Sequence, residues 1–125
     1  MFIEEQTEEQ CITAVREAGG TILYVKEQTE ELCKIAVQQC GLALQYVNED
    51  LRTFDVCKIA VQQDGWAFNF VPRAKFNADS VKELCRLAVK ENGFSLSGID
   101  KNLHDDELRD IAKQWILNNC QTTYN

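Results

Sequence analysis

The sequence predicts an all-α protein of about five short helix-turn-helix repeats, stacked as a small solenoid or a compact bundle. Three observations support this prediction. The heptapeptide CKIAVQQ occurs twice, at residues 33–39 and 57–63. Related segments recur along the chain, and most are preceded by a helix-capping residue and followed by a glycine. Units this short cannot bury an apolar face alone, whereas stacked copies share one continuous core.

Five helical segments follow one register. They read EQCITAVREAG (9–19), ELCKIAVQQCG (31–41), DVCKIAVQQDG (55–65), ELCRLAVKENG (83–93) and ELRDIAKQWIL (107–117). The first four share a cysteine, an Ala-Val pair and a closing glycine. We therefore divide a single domain, residues 1–125, into units at approximately 7–28, 29–52, 53–76, 80–103 and 104–125, called units 1 to 5.

The helix starts and ends are predicted from capping residues. Thr7, Thr29, Thr53 and Ser80 are the expected N-caps, because a hydroxyl can accept a hydrogen bond from a free N–H group of the first turn. Thr7 with Gln10, and Ser80 with Glu83, have the spacing of a capping box. The closing glycine is expected to end each helix in the left-handed conformation.

The segment after each glycine is ambiguous. These segments read GTILYV, LALQYV, WAFNFV and FSLSGI, and apolar residues alternate in two of them, as in a strand. A short second helix fits equally well, because periodicity does not discriminate at this length. Pro72 ends the third copy in either case. The alternative fold is therefore a stack of helix-strand repeats.

The two ends of the stack differ from its middle. Unit 5 has Arg109 at the cysteine position and Leu117 at the glycine position, which is expected of a C-terminal capping repeat. Phe2 and Ile3 are expected to cover the opposite end.

Composition excludes several classes of function. The formal net charge is −7 and the basic residues are scattered, which disfavours nucleic-acid binding. No apolar run has the length of a membrane span, and the acidic N-terminus lacks the features of a signal peptide. We expect a cytoplasmic location, with delivery into a host cell if the protein is an effector.

The cysteines and the histidine do not form a recognisable catalytic or metal-binding motif. The four register cysteines, Cys11, Cys33, Cys57 and Cys85, lie on an apolar face and are expected to be buried and reduced. Cys40 and Cys120 lie outside the register, and Cys120 is expected to be the more exposed. No C-x-x-C pair or Cys/His zinc spacing occurs, and His104 is expected in a solvated loop. No cofactor or metal is predicted.

The pattern C..AV...G.AL.YV resembles a tandem repeat family of unknown function that occurs in protist, giant-virus and bacterial effector proteins. The matching residues in unit 2 are Ala36, Val37, Gly41, Ala43, Leu44, Tyr46 and Val47. The resemblance covers roughly residues 7–100 and implies short helices packed as repeats, which favours the helix-helix alternative. It implies no catalytic residues. Small proteins of this kind in Legionella-like pathogens include one that inhibits ubiquitin-modifying effector enzymes, which implies a similar role here.

Candidate binding residues are those that break the register. Phe54 and Trp115 are aromatic where other units are polar, and Trp66 stands where other units have Gly20, Leu42 and Phe94. Exposed aromatic side chains are favoured anchors of protein interfaces. The competing interpretations are that Phe54 fills a groove between units and that Trp115 packs under the C-terminal tail.

A second candidate surface is an acidic ridge at the helix starts. Its members are Glu4, Glu5, Glu8, Glu9, Glu30 and Glu31. These carboxylates also interact favourably with the helix dipole, so helix stability alone could explain them.

The sequence favours a non-enzymatic regulator that binds another protein, with inhibition of a bacterial effector enzyme acting on ubiquitin as one concrete version. A structural homodimer is the first alternative, since an apolar terminal repeat invites pairing through its end. A cysteine-dependent enzyme is the second, and it would require an exposed thiol of low pKa.

Overall fold

The fold is all-α, as predicted. The computed structural model describes residues 7–120. Its α-helices are α1 (Glu8–Glu17), α2 (Glu30–Gln39), α3 (Phe54–Gln63), α4 (Ala78–Glu91) and α5 (Asp106–Asn119). The segment after each glycine is a six-residue 3₁₀ helix, at Gly19–Tyr24, Gly41–Tyr46, Gly65–Phe70 and Gly93–Gly98. Residues 7–120 contain no strand, so the helix-strand alternative is wrong.

The units stack in two layers. Each α-helix packs against the α-helix of the next unit, and each six-residue 3₁₀ helix packs against the next 3₁₀ helix. Three-residue 3₁₀ turns at Glu49–Leu51, Arg73–Lys75 and Lys101–Leu103 connect units 2 to 5. The link between units 1 and 2 has no such turn, because it is two residues shorter from Val25 to Thr29 than from Val47 to Thr53.

Three of the four predicted N-caps are confirmed. The hydroxyls of Thr7, Thr29 and Thr53 accept hydrogen bonds from backbone N–H groups of the first turn, and Thr7 forms the predicted capping box with Gln10. The prediction for Ser80 is wrong, and with it the Ser80–Glu83 capping box.

The N-cap of α4 is Asn77, whose Oδ1 accepts the Ser80 N–H at 2.8 Å. The extra residues of this unit therefore lengthen the helix by one turn, and this turn buries Val81 in the core.

The predicted role of the closing glycines is also wrong. Among the described residues no glycine has positive φ. Each helix ends on a residue with extended backbone, and the glycine then begins the 3₁₀ helix. The glycine is required by packing instead. A Cβ at Gly41 would lie 2.5 Å from the Ala60 carbonyl oxygen, and one at Gly93 would lie 2.9 Å from that of Ala112.

The same close approach occurs at Gly19, over Ala36, and at Gly65, over Ala88. The glycine of one unit therefore receives the backbone of the next unit at the alanine of the Ala-Val pair. This contact explains why both residues recur in the register.

The core follows the register through the stack. The cysteine, alanine and valine positions of units 2 to 4 are at most 1% exposed. Burying a valine side chain completely contributes roughly 1.5–3 kcal/mol to folding. In unit 5, Arg109 and Lys113 stand at the cysteine and valine positions, and both are exposed. A further unit cannot stack on such a charged face without burying these cations. Phe2 and Ile3 lie outside the described residues.

Candidate interaction surface

Phe54 contacts the link that follows its own helix. Its ring meets that of Phe76 edge-on, with the centroids 6.2 Å apart and an interplanar angle of 88°. Glu30 occupies the same register position one unit earlier, and its Oε2 accepts the Thr53 hydroxyl at 2.8 Å. Lys82 occupies it one unit later and pairs with Asp105 at 2.9 Å. In units 2, 3 and 4 the residue at this register position therefore contacts the link that follows its helix. The contact is polar for Glu30 and Lys82 and apolar for Phe54.

Trp115 also lies at a contact between units. It is half-buried beside Gly93, and its ring meets that of Phe94 edge-on at 5.6 Å. Trp115 lines a shallow groove of about 350 Å³ with Lys90, Asp110, Ile111 and Gln114. Residues of the C-terminal tail beyond 120 lie outside the described residues, so the predicted packing beneath that tail stays a prediction.

Trp66 packs against a glycine of the next unit. A Cβ at Gly98 would lie 3.2 Å from Trp66 Cζ3. Gly98 stands where units 1 to 3 have Tyr24, Tyr46 and Phe70. The loss of that aromatic side chain makes room for the indole. Each of the three aromatic residues that break the register thus packs against a residue of a neighbouring segment that accommodates its ring.

The acidic residues at the helix starts do not form one uniform ridge. Glu30 is half-buried and hydrogen-bonded, whereas Glu9 and Glu31 are exposed. Glu8 lines a cavity of about 460 Å³ between units 1 and 2, which Cys11 also lines. Glu4 and Glu5 lie outside the described residues. Among residues 7–120 the structure does not join the other four carboxylates into a ligand-binding cluster.

One exposed apolar surface of the 3₁₀ layer was not predicted from the register. Leu23, Tyr24 and Tyr46 are 52%, 41% and 37% exposed, and Phe70, half-buried, continues the row. We call these four residues the tyrosine face. Tyr24, Tyr46 and Phe70 share one position, five residues after the glycine of each unit. Neighbouring 3₁₀ helices pack together, so these rings follow one another along the stack.

A three-residue period accounts for the buried side of the 3₁₀ helices. A 3₁₀ helix has three residues per turn, so positions three and six after the glycine share one side. These positions hold Ile22 and Val25 in unit 1 and Leu44 and Val47 in unit 2, and all four are buried. Tyr24 and Tyr46, at the fifth position, are exposed instead.

Polar side chains before the helix starts hold the 3₁₀ helices together. Gln28 Nε2 donates to the carbonyl oxygens of Ile22 and Tyr46, at 3.2 and 2.9 Å. Arg52 donates to those of Val47 and Phe70, at 2.9 and 3.0 Å. Both side chains therefore join the 3₁₀ helices of two units and fix the backbone beneath the tyrosine face.

His104 plays the equivalent part in the last link. Its Nε2 lies 3.1 Å from the Leu96 carbonyl oxygen and 2.9 Å from that of Ile99. Because both neighbours are acceptors, Nε2 carries the proton. His104 lies in a loop, as expected, but its ring is half-buried and hydrogen-bonded rather than solvated.

Ion pairs between units are concentrated in the C-terminal half. Lys58 pairs with Glu83 at 3.4 Å, and Arg86 pairs with Glu107 at 3.1 Å. Lys82 donates to Asp105, and this hydrogen bond, followed by that from the Leu108 N–H, lowers the pKa of the Asp105 carboxyl. Such pairs between exposed groups contribute little to stability. Their distribution leaves the carboxylates of units 1 and 2 without cationic partners in the neighbouring units among residues 7–120.

The register cysteines are buried, as predicted. Burial is the main cause that raises the pKa of the Cys33, Cys57 and Cys85 thiols, to about 11, 12 and 11. A thiol with a raised pKa is a poor nucleophile at neutral pH. Cys40 and Cys120 are both exposed. Within residues 7–120 no group of three or more histidine, cysteine or acidic side chains could hold a metal ion.

Comparison with known proteins gives one match. Residues 29–74, which correspond to units 2 and 3, match DUF4116, a domain of unknown function. No curated protein matches the chain. No solved structure matches it either. None of the helices between residues 7 and 120 is long and apolar enough to cross a bilayer.

Proposed function

We propose that this protein is a non-enzymatic regulator that binds another protein through its tyrosine face. The observation that carries the proposal is the exposure of Leu23, Tyr24 and Tyr46 on neighbouring units. Exposed tyrosine provides a large contact area at a low cost in conformational entropy, which suits it to protein interfaces.

The support beneath the tyrosine face is rigid. The backbone of Tyr46 and Phe70 is held by the hydrogen bonds from Gln28 and Arg52. Gly41 packs directly on α3. A surface that is ordered before binding loses less entropy when a partner docks, so more of the contact energy appears as affinity.

A narrower version is that the bound protein is an effector enzyme acting on ubiquitin, which the chain inhibits. This version rests on the family resemblance, and the matched domain carries no assigned function. Phe54 packs on the link after its own helix, and Trp66 and Trp115 lie at contacts between units, so in this proposal all three support the binding surface. Direct contact with the partner is assigned to the tyrosine face.

Affinity capture from the native host tests the proposal. The full chain is immobilised beside the double variant Tyr24→Ser/Tyr46→Ser and the control Leu117→Ser. Leu117 is a suitable control because it is 50% exposed on the terminal helix, away from the tyrosine face. We expect one protein retained by the wild type and the control but not by the tyrosine variant. The purified partner is then titrated with the chain, and if it is an enzyme its activity should fall stoichiometrically. Equal retention by all three proteins would contradict the proposal.

A homodimer is a second candidate, favoured by apolar side chains near the C-terminal end. Phe94 is 48% exposed, and Trp115 lines the groove beside α5. Light scattering over a concentration series distinguishes a dimer from a monomer. Phe94→Ser should reduce the dimer fraction, and an unchanged mass would exclude this surface.

A further inference from the structure

The cavity of about 460 Å³ lies between the start of α1 and the link that joins units 1 and 2. In units 2 to 4 each link places one apolar side chain against the core, and these side chains are half-buried: Leu51, Phe76 and Leu103. The link between units 1 and 2, residues 26–28, reads KEQ and contains no apolar residue. The cavity thus lies beside the link that supplies no such side chain.

The buried part of the cavity lining is apolar, and the exposed part is polar. Cys11 and Leu32 line the cavity and are each 4% exposed. Glu8, Glu27 and Lys26 line it from exposed positions. Because these exposed groups include both signs of charge, they do not select a strongly charged occupant. The surface of Cys11 and Leu32 instead favours an apolar side chain, whose burial there is stabilising.

The outer end of unit 1 offers less apolar surface than this cavity. One turn before the register alanine, units 2 to 5 hold a buried apolar residue: Leu32, Val56, Leu84 and Leu108. In unit 1 this position is Gln10, which is exposed. The surface around Gln10 also carries Glu9, Thr13 and Glu17, with Ala14 between them. An apolar segment before Thr7 is therefore accommodated better by the cavity than by the outer end.

We propose that Phe2 and Ile3 occupy this cavity and supply the apolar side chains that the adjacent link lacks. An extended chain spans at most about 3.6 Å per residue. Ile3 is four residues before Thr7, so its Cα lies within about 14 Å of the Thr7 Cα, and that of Phe2 lies within about 18 Å. Thr7 itself lines the cavity, so both side chains can reach it.

The rate of thiol modification tests this inference on the full chain. Cys11 is the reporter, because it lines the cavity, and the buried Cys57 is the internal reference. Mass spectrometry of the peptides measures how fast a maleimide modifies each thiol in native protein at pH 8. Phe2→Ser/Ile3→Ser should increase the Cys11 rate about tenfold and leave the Cys57 rate unchanged. Its Tm should fall by about 4–8 °C, because two apolar side chains lose a buried site.

Two control variants separate occupation of the cavity from other effects. Phe2→Leu/Ile3→Leu keeps both side chains apolar, and Leu117→Ser changes an exposed residue of α5. Both should match the wild type in the Cys11 rate and in Tm. Equal Cys11 rates in the wild type and in Phe2→Ser/Ile3→Ser would overturn the inference. Equal acceleration of Cys11 and Cys57 in the serine variant would indicate general loosening and would overturn it too. Fast modification of Cys11 in the wild type would show a cavity left open for another ligand, which also contradicts the inference.

Discussion

Gly41→Ala is expected to destabilise the protein strongly, because the added methyl group has no room. Its carbon would lie 2.5 Å from the Ala60 carbonyl oxygen and 2.9 Å from Asp64 Cβ. Ordinary close C···O contacts begin at about 3.3 Å, so α3 would have to move away by about 0.8 Å. That movement would loosen the contact between units 2 and 3.

Overpacking of this kind costs about 1–3 kcal/mol, and a rigid backbone neighbour favours the upper end of that range. For a chain of this length, 1 kcal/mol corresponds to a change in Tm of about 4 °C. We therefore expect the Tm of Gly41→Ala to fall by about 8–12 °C in thermal unfolding followed by circular dichroism.

Gly20→Ala is the matched control. Gly20 lies in the same layer without positive φ, and a Cβ there meets nothing within 4 Å. Alanine should stabilise this position by about 0.4–1 kcal/mol, because it restricts the unfolded chain. Opposite shifts of Tm for the two substitutions support the packing role of Gly41. A Tm for Gly41→Ala equal to that of the wild type would refute the close approach between units.

Four further predictions concern the core and the contacts between units. Ser95→Ala should stabilise the protein by about 1 kcal/mol in urea unfolding, because the Ser95 hydroxyl is buried without a hydrogen-bond partner among residues 7–120. A loss of stability would show that this hydroxyl does form a hydrogen bond. A double-mutant cycle of Phe54→Ala and Phe76→Ala should give a coupling free energy of about 0.5–1.5 kcal/mol. Additive effects of the two substitutions on the free energy of unfolding would exclude the ring contact. In native protein at pH 8 a thiol reagent should modify the exposed Cys40 quickly and the buried Cys57 slowly. Mass spectrometry of the peptides measures both rates, and fast modification of Cys57 would contradict its burial. Burial raises the pKa of Cys57 from 9.0 to about 12, so the unfolded chain loses this proton at a lower pH than the folded chain. The free energy of unfolding should therefore fall as pH rises above about 9, and it should fall less steeply in Cys57→Ala. An equal slope in both proteins would contradict the pKa shift.

The sequence predicted the repeating helices because their signals are local and redundant. Capping threonines, a 3.6-residue apolar stripe and a closing glycine agree in each of the first three units, so one register located them together. Asn77 was missed because Ser80 lies nearer to the register cysteine, Cys85, at a spacing that also suits a cap. The extra helical turn that ends at Val81 was therefore assigned to the preceding loop.

The packing between units could not be predicted in the same way. Six residues do not distinguish a period of two from a period of three, so the sequence left both a short helix and a strand open for these segments. A closing glycine looks the same in the sequence whether it is needed because its φ is positive or because a neighbouring backbone packs against it. Only the position of Ala60 beside Gly41 shows which applies.

The repeat register identified the residues that break the pattern but not the residues that they contact. Phe54 and Trp115 were correctly recognised as residues that depart from the other units. Their contacts with Phe76 and Phe94 depend on how successive links fold back, which the spacing alone does not show. Tyr46 was overlooked for the opposite reason, since its aromatic character recurs in neighbouring units.

The most direct test of the central claim is a calorimetric titration of the captured partner protein with three forms of the chain. Wild type and Leu117→Ser should bind with the same Kd, and Tyr24→Ser/Tyr46→Ser should bind at least about tenfold more weakly while its Tm stays close to that of the wild type. Equal Kd values for all three would contradict the assignment of the tyrosine face as the binding surface.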